Sequence, residues 1–396
     1  MTLPAALLGT YVGLSLGYWL LTFYGMVRVR RSVPVLADLQ PPGPESWPKL
    51  SVIVPACNEG DKIGPAVRSL LTEDYPDLEI VLVDDRSTDA TGRIIDALAA
   101  EDDRVWAIHI TELPEGWLGK VNALNTGLAA SSGQFVLFTD ADVHFRNSAL
   151  RKAVAWCLHK KLDHLPAMPD IWPGTLLTDA VVSGFLRPLM TLITPPWRAV
   201  DPTSRRFIGV GAFNLVRREA FEATEGFDWL RLEVADDMAV GMMMKHSGTK
   251  AGVVAAFGQV GLHWYRTLGE ACRGAQKGYA TTGCRFLPMV LVTLISLALE
   301  ASPVLVPLAA ALAGCGAIWW ALAAAVPAIF LASSVPLALW ARVRVLPAVI
   351  TPLTTPISAA IMLWSAAAGL WRGGIVWRGT LYRTQTLRQG RRLKLF

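Results

Sequence analysis

Gln134 to Val143 reads Gln-Phe-Val-Leu-Phe-Thr-Asp-Ala-Asp-Val, and this stretch decides the fold. An apolar run of strand length, Phe135 to Phe138, follows Ser131-Ser132-Gly133 and ends abruptly in two carboxylates, Asp140 and Asp142. A run without alternation between apolar and polar positions marks a strand covered on both faces, the condition of a parallel sheet. Ligands of open parallel sheets sit beyond the carboxyl ends of the strands, so this acidic edge is where one is expected. Two apart on extended backbone, Asp140 and Asp142 point the same way, and converging carboxylates suit a hard divalent cation carrying a diphosphate. The tripeptide alone is common, and a solvated loop would carry it equally well.

Upstream, strand and helix alternate. Leu50 to Pro55, Leu78 to Val83 and Val105 to Ile110 read as strands. Lys62 to Leu71, a segment opened by Asp89 and running to about Ala100, and Lys120 to Ala130 read as helices. Such alternation implies a mostly parallel sheet with helices on both faces. The first strand runs out into Pro55-Ala56-Cys57-Asn58-Glu59 and the second into Asp84-Asp85-Arg86-Ser87. A carboxylate at such an end accepts a ring N–H of uracil or guanine more strongly than a neutral acceptor does. The same acidic pair would equally cap the next helix. The loop Pro114 to Lys120 sets a cation at a helix start, either a phosphate contact or a plain turn.

Downstream, Asn147 to Lys161 reads as a helix. Thr175 to Thr194 is apolar but interrupted by Asp179 and Arg187, which fits a helix lying on a membrane or a buried core helix. Gly209 and Gly211 let backbone approach a ligand or mark a bulged strand. Asp236 and Asp237 open a helical run to His246 that Gly248 stops; carboxylates there gain from the helix dipole or act as a general base. Three acidic clusters at element ends within one alternating domain favour chemistry over capping.

Hydrophobic residues make up 53% of the 396 positions and charged residues 17%, and the apolar excess lies at the two ends. Leu3 to Met26 is long, uncharged and followed by Arg28, Arg30 and Arg31, the pattern of a retained anchor whose next domain is cytoplasmic. Leu287 to Trp340 has the length of two spans. Leu346 to Trp371, with Pro347, Pro352 and Pro356, reads as broken or re-entrant, because a full crossing would put the basic tail outside. The net charge of +5 comes from basic residues beside apolar segments, which are membrane anchors rather than a nucleic-acid footprint. Five cysteines without paired spacing point to free thiols and no zinc. The expected organisation is an anchor at 1–31, a linker at 32–49, a catalytic domain with interfacial helices at 50–285, membrane helices at 286–371 and a basic cytoplasmic tail at 372–396.

Taken in order, Ser-Val-Ile-Val-Pro-Ala-Cys-Asn-Glu at 51–59, Val-Asp-Asp-Arg-Ser at 83–87, Gly-Trp-Leu-Gly-Lys at 116–120, Thr-Asp-Ala-Asp-Val at 139–143 and Ala-Asp-Asp-Met at 235–238 resemble the family 2 glycosyltransferases of the GT-A fold. The resemblance covers about Leu50 to Gly248. Within the family the chain is most similar to membrane enzymes that glycosylate lipids, such as the hopanoid-associated, carotenoid and ceramide glycosyltransferases. Gly116 to Lys120 and Trp377-Arg378-Gly379-Thr380-Leu381-Tyr382 carry that closer likeness.

The resemblance implies an α/β, Rossmann-like GT-A sheet with one N-terminal and several C-terminal transmembrane helices. It implies an inverting enzyme that moves sugar from a nucleotide-sugar donor, a UDP-sugar, to the hydroxyl of a membrane lipid acceptor. Asp85 would then contact the base beside Asp84, and Pro55 and Glu59 would line the nucleoside pocket. Lys120 would lie near the ribose or phosphates. Asp140 and Asp142 would hold the nucleotide and its Mg²⁺ or Mn²⁺, Asp142 being the more direct ligand. Asp237 would be the catalytic base, with Asp236 where the family more often has Glu. The implied location is the bacterial inner membrane, with the catalytic domain cytoplasmic and no nucleic-acid partner. Gln276-Lys277-Gly278-Tyr279-Ala280 departs from the Gln-x-x-Arg-Trp motif of processive synthases, which argues against processive synthesis. A transferase that builds or decorates a polysaccharide, and a silent membrane protein that only binds a nucleotide sugar, are the alternatives.

Overall fold

The computed structural model describes residues 3–146 and 148–393. Its first ten strands, in chain order, are β1 (Leu50–Ala56), β2 (Leu78–Asp85), β3 (Val105–Ile110), β4 (Phe135–Phe138), β5 (His144–Phe145), β6 (His164–Met168), β7 (Asp170–Ile171), β8 (Asn214–Arg217), β9 (Val254–Ala255) and β10 (Val260–Leu262). Seven of them form one sheet in the order β3-β2-β1-β4-β8-β6-β9, and β5-β10-β7 form a small second sheet. In the larger sheet only β8 runs antiparallel to its neighbours, so the sheet is mostly parallel. Every residue of β1, β2 and β4 is buried, as continuous Val, Ile and Leu runs require when helices cover both faces. Each such fully buried side chain contributes about 1.5–3 kcal/mol, which makes this sheet the rigid base for whatever its ends carry.

The helices between these strands fall close to where periodicity puts them: Ile63–Leu71, Thr91–Glu101, Gly119–Ala130 and Ala149–Lys160. Asp89 sits two residues ahead of its helix, and its Oδ1 accepts the Thr91 N–H at 2.9 Å. Asn147, the expected start of the next helix, lies outside the described residues, as do Lys394 to Phe396 at the end of the basic tail. Of the two readings of Gly209 and Gly211, the bulged strand is not formed: the backbone there is irregular, and regular pairing starts only at Asn214.

The chain divides into two compact units. The sheet unit holds residues 33–172, 196–263 and 376–396, so the stretch after the last long helix belongs with the sheets. The helical unit holds residues 1–32, 173–195 and 264–375. Among the described residues, four helices are long and apolar enough to cross a membrane: Ala6–Ser32, Leu176–Ala199, Ala317–Trp340 and Thr351–Arg372. A fifth candidate is the pair Leu268–Thr281 and Phe286–Glu300, bent by 118°.

This division of helices differs from the sequence reading in three places, each with a local cause. Leu287 to Trp340 forms three helices, Phe286–Glu300, Ser302–Leu312 and Ala317–Trp340, because Pro303 starts a new helix and Gly314 adopts φ +59°. Leu346 to Trp371 breaks only at Ile350; Pro352 occupies the first turn of Thr351–Arg372, where its missing N–H costs nothing. Leu176–Pro188 is a regular helix continued by a π-helical turn, Leu189–Ile193, because its two charges are paired inside the helical unit. Asp179 accepts from Arg344 Nε at 2.8 Å. Arg187, only 3% exposed, is ion-paired with Glu300 and donates to Thr351 Oγ1 at 3.0 Å, with its guanidinium 5.0 Å from the Trp19 ring centroid.

Candidate active site

The register of the central strands lines up the acidic residues. Ile53 of β1 pairs with Phe138 of β4, and Ala56 pairs with Asp84 of β2, so Glu59, Asp85 and Asp140 all leave the sheet from the same edge. Pro55 lies past the end of β4, opposite Val83, so its missing N–H removes no bond to β4.

Beyond β4 a cleft open to solvent is lined by Lys120, Phe138, Thr139, Asp140, Gly211, Asn214, Asp236 and Asp237, among others. Lys120 bridges two of its carboxylates, with Nζ 2.8 Å from Asp140 Oδ1 and 3.0 Å from Asp236 Oδ2. Burial works against its ammonium, but Asp140, Asp236 and Asp237 outweigh burial and hold its pKa above the ordinary value. The position expected to meet ribose or phosphate is thus a cation among carboxylates.

Asp236 and Asp237 form the first turn of the helix Asp236–His246. Asp237 Oδ2 accepts the Gly211 N–H at 2.9 Å, and its carbonyl accepts from Asn214 Nδ2 at 3.2 Å. Asn214 is fixed in turn by His164, whose Nε2 lies 2.6 Å from its Oδ1. Burial lowers the His164 pKa to about 4, so a neutral ring meets the amide. The two glycines serve this helix. A Cβ on Gly209 would fall 1.8 Å from the Asp237 carbonyl oxygen, and one on Gly211 would fall 2.9 Å from Asp140 Oδ2 and 3.5 Å from Asp237 Oδ2. The carboxylates of Asp140 and Asp237 therefore flank one bare Cα.

A second cluster surrounds Glu59. Lys62 Nζ lies 3.2 Å from Asp142 Oδ2 and 3.4 Å from Glu59 Oε2, while Arg378 pairs with the other Glu59 oxygen. Burial raises the Asp142 pKa, the Asp140 and Glu59 charges add to that, and Lys62 offsets part of it. Nearby, Arg86 grips Asp85 with two nitrogens at 2.7 and 3.0 Å, and Tyr382 Oη accepts the Gly119 N–H at 3.2 Å. Asp84 faces elsewhere: it accepts from Ser87 N at 3.2 Å and meets His109 Nδ1 at 3.1 Å.

Of the nine residues picked out by sequence, Lys120, Asp140, Asp236 and Asp237 line one cleft, and Glu59 and Asp142 meet through Lys62. Asp85 stands beside the start of the Lys120 helix, where a Cβ on Gly119 would meet its carboxylate; Asp84 bonds Ser87 and His109 instead, and Pro55 pairs with Val83 within the sheet. Lys62, Asn214, Arg378 and Tyr382 join the site without having been singled out for a role. Lys62 could have been found as the cation three residues after Glu59 at a helix start. Arg378 and Tyr382 lie in the 377–382 stretch that carries the closer family likeness, but nothing in that stretch says which residues they meet.

Two hard carboxylates two residues apart, one with its pKa raised first by burial and then by the Asp140 and Glu59 charges, fit a divalent cation. Among the described residues no group of three or more His, Cys, Asp or Glu side chains forms a closed metal cage, so phosphate oxygens would have to complete the shell.

Residues 51–169 match the family model described as glycosyl transferase family 2. The chain is 37% identical over 93 residues to glycosyltransferase GlyG of Streptococcus pneumoniae, covering 24% of this chain and 30% of that one. It is 38% identical over 103 residues to the GalNAc(5)-diNAcBac-PP-undecaprenol beta-1,3-glucosyltransferase of Campylobacter jejuni, covering 26% of this chain and 32% of that one. The matches thus span about a third of the length of these curated relatives. Among solved structures, the mannosyltransferase PcManGT from Pyrobaculum calidifontis, in complex with GDP-Man and Mn²⁺, superposes with a TM-score of 0.55 at 23% identity, covering 91% of this chain and 99% of that one. That likeness fixes the fold as GT-A.

Proposed function

We propose that this chain, a family 2 glycosyltransferase of the GT-A fold, transfers a sugar with inversion from a nucleotide-sugar donor to the hydroxyl of a membrane lipid. The observation that carries the reading is the meeting of Asp140, Lys120 and Asp237 in one cleft at the strand ends. The donor lies across those ends with its base toward Asp85 and Glu59 and its diphosphate toward Asp142. Asp140 and Asp142 would hold a divalent cation, Mg²⁺ or Mn²⁺, which when bound neutralises the departing diphosphate.

Asp237 takes the proton of the acceptor hydroxyl. The oxygen forms its bond to the anomeric carbon as the bond from that carbon to the phosphate oxygen breaks, the electron pair leaving with the nucleoside diphosphate. Attack from the face opposite the leaving group inverts the centre. The Gly211 N–H fixes one Asp237 oxygen, so little reorientation of the base is needed. Lys120 keeps like charges in the cleft from repelling one another before donor arrives. One carboxylate facing the acceptor suffices, unlike the pair a glycosidase needs.

A lipid acceptor is supported by the four helices long and apolar enough to span a membrane, and by the undecaprenol-linked glycan in the name of the Campylobacter relative. Arg28, Arg30 and Arg31 after the first of these helices favour a cytoplasmic catalytic unit at a bacterial inner membrane. UDP is the proposed nucleotide.

The test is a transfer assay on the purified full chain with Mn²⁺, total membrane lipid and a panel of labelled UDP-, GDP- and dTDP-sugars. Label moving into the organic phase supports the reading. Label in a water-soluble polymer would replace lipid with polysaccharide as acceptor, and neither transfer nor donor hydrolysis with any sugar would contradict the enzyme itself.

A further inference from the structure

The stretch after the last long helix, read from sequence as a basic cytoplasmic tail, has residues 376–393 within the sheet unit. Near its start, Arg378 donates to Glu59 across 319 positions, and Tyr382 Oη accepts the Gly119 N–H at 3.2 Å across 263. Arg378 at φ +49° and Gly379 at φ +79° are the two loop residues between Gly374–Trp377 and Thr380–Arg383, a two-residue turn of the primed kind. Gly, Asn and Asp are the usual occupants. An Arg in the left-handed region carries steric strain, and such strain persists where the surrounding structure holds it. Here its guanidinium reaches a carboxylate that is 7% exposed.

At the far end, Glu233, 4% exposed, accepts the backbone N–H groups of both Arg392 and Leu393 at 2.9 Å. Arg392 also lies over Trp229, 5.4 Å from its ring centroid. Glu233 stands three residues before Asp236. The Leu118 N–H donates to the Arg231 carbonyl at 2.7 Å, which ties the loop before Lys120 to the same turn. One segment thus touches the Glu59 side of the site and the entry to the helix that bears Asp237.

We propose that residues 376–393 form a strap that completes the donor site, with Arg378 taking the donor's diphosphate, Tyr382 holding the Gly119 turn, and Glu233 anchoring the strap so that it positions the Asp236–His246 helix. This deepens the transferase reading and rests on it. A guanidinium matches phosphate oxygens in a fork that an ammonium cannot reproduce. Glu59 keeps Lys62 as partner when Arg378 leaves, so the exchange strands no unpaired buried carboxylate.

The experiment is equilibrium binding of UDP, GDP, ADP, CDP and dTDP, each with Mn²⁺, to the purified full chain, alongside steady-state transfer. Arg378→Gln is expected to weaken the bound diphosphate about tenfold or more, with Arg378→Lys restoring part of the loss. Glu233→Gln is expected to do the opposite, lowering kcat about tenfold while diphosphate affinity stays within about twofold. Wild-type binding with Arg378→Gln unchanged overturns the strap and leaves the transferase reading standing; a wild-type chain that binds none of the five overturns both. Should a variant not fold, tryptic cleavage at Arg383 and Arg388 of the unaltered chain decides. It slows with bound diphosphate if the strap is right, and cleavage indifferent to ligand overturns it.

Discussion

The Gly211 backbone N–H donates to Asp237 Oδ2 at 2.9 Å, and the same glycine faces Asp140 with nothing but its Cα. A hydrogen-bond donor that fixes one oxygen of a carboxylate in the first turn of a helix sets the direction in which that carboxylate meets a substrate. Gly211→Ala would place a methyl group 2.9 Å from Asp140 Oδ2. We expect transfer to fall about 10- to 100-fold, because displacements under 1 Å at reacting groups carry losses of that order, while the melting temperature barely moves. Paired kinetics and thermal unfolding check this.

Gly209→Ala should act on stability instead. Its new Cβ would lie 1.8 Å from the Asp237 carbonyl oxygen, a backbone atom that cannot swing aside. A loss of about 3 kcal/mol, the upper part of the overpacking range, is expected in chemical denaturation.

In the helical unit, Arg187 and Glu300 form a buried pair that Ser334 and Thr351 surround on the arginine side and Tyr18 on the glutamate side. Removing one partner leaves a buried charge alone. Arg187→Leu or Glu300→Leu should each cost about 3–5 kcal/mol, and the double variant should recover much of that loss. Thermal unfolding in one detergent, run as a double-mutant cycle, measures it.

Glu79 supplies a pH dependence. Burial disfavours its carboxylate, but Lys49 at 2.8 Å, the Ser132 N–H and Ser51 outweigh burial and bring its pKa down from 4.5 to about 2. The folded-state pKa is depressed, so the stabilisation is fully present above the ordinary value of 4.5 and is lost as pH falls toward 2. Glu79→Gln should lower the melting temperature at pH 7, and the gap to wild type should narrow as pH drops through about 4.

Chelation should stop transfer, with Mn²⁺ or Mg²⁺ restoring it, because Asp140 and Asp142 offer hard oxygen ligands and, among the described residues, no third His, Cys, Asp or Glu closes the cage. The check is activity after dialysis against EDTA and after adding back each ion. Activity that persists after dialysis would contradict the metal assignment.

The sheet was legible because Phe135 to Phe138 and Leu50 to Pro55 are apolar without alternation, a pattern set by burial on both faces. The acidic edges were legible because a carboxylate at the end of an apolar run is locally conspicuous. Gly211 and Asn214 were not legible as supports for Asp237, since their role is a backbone N–H and a side-chain amide that local sequence does not announce. Arg378 could not be matched to Glu59 from spacing, because a separation of 319 positions leaves no periodic trace. Sequence alone leaves the number of C-terminal helices open, because a proline in the first turn and a proline that ends a helix look alike until the helix start is known.

The central claim is that Asp237 abstracts the acceptor proton in a cleft that also binds the donor. The most direct measurement compares Asp237→Asn with wild type for transfer rate and nucleoside diphosphate affinity in the same preparation. The account predicts transfer reduced about 100-fold or more with affinity unchanged within about twofold, as loss of a general base requires. Wild-type turnover by the verified variant would contradict it.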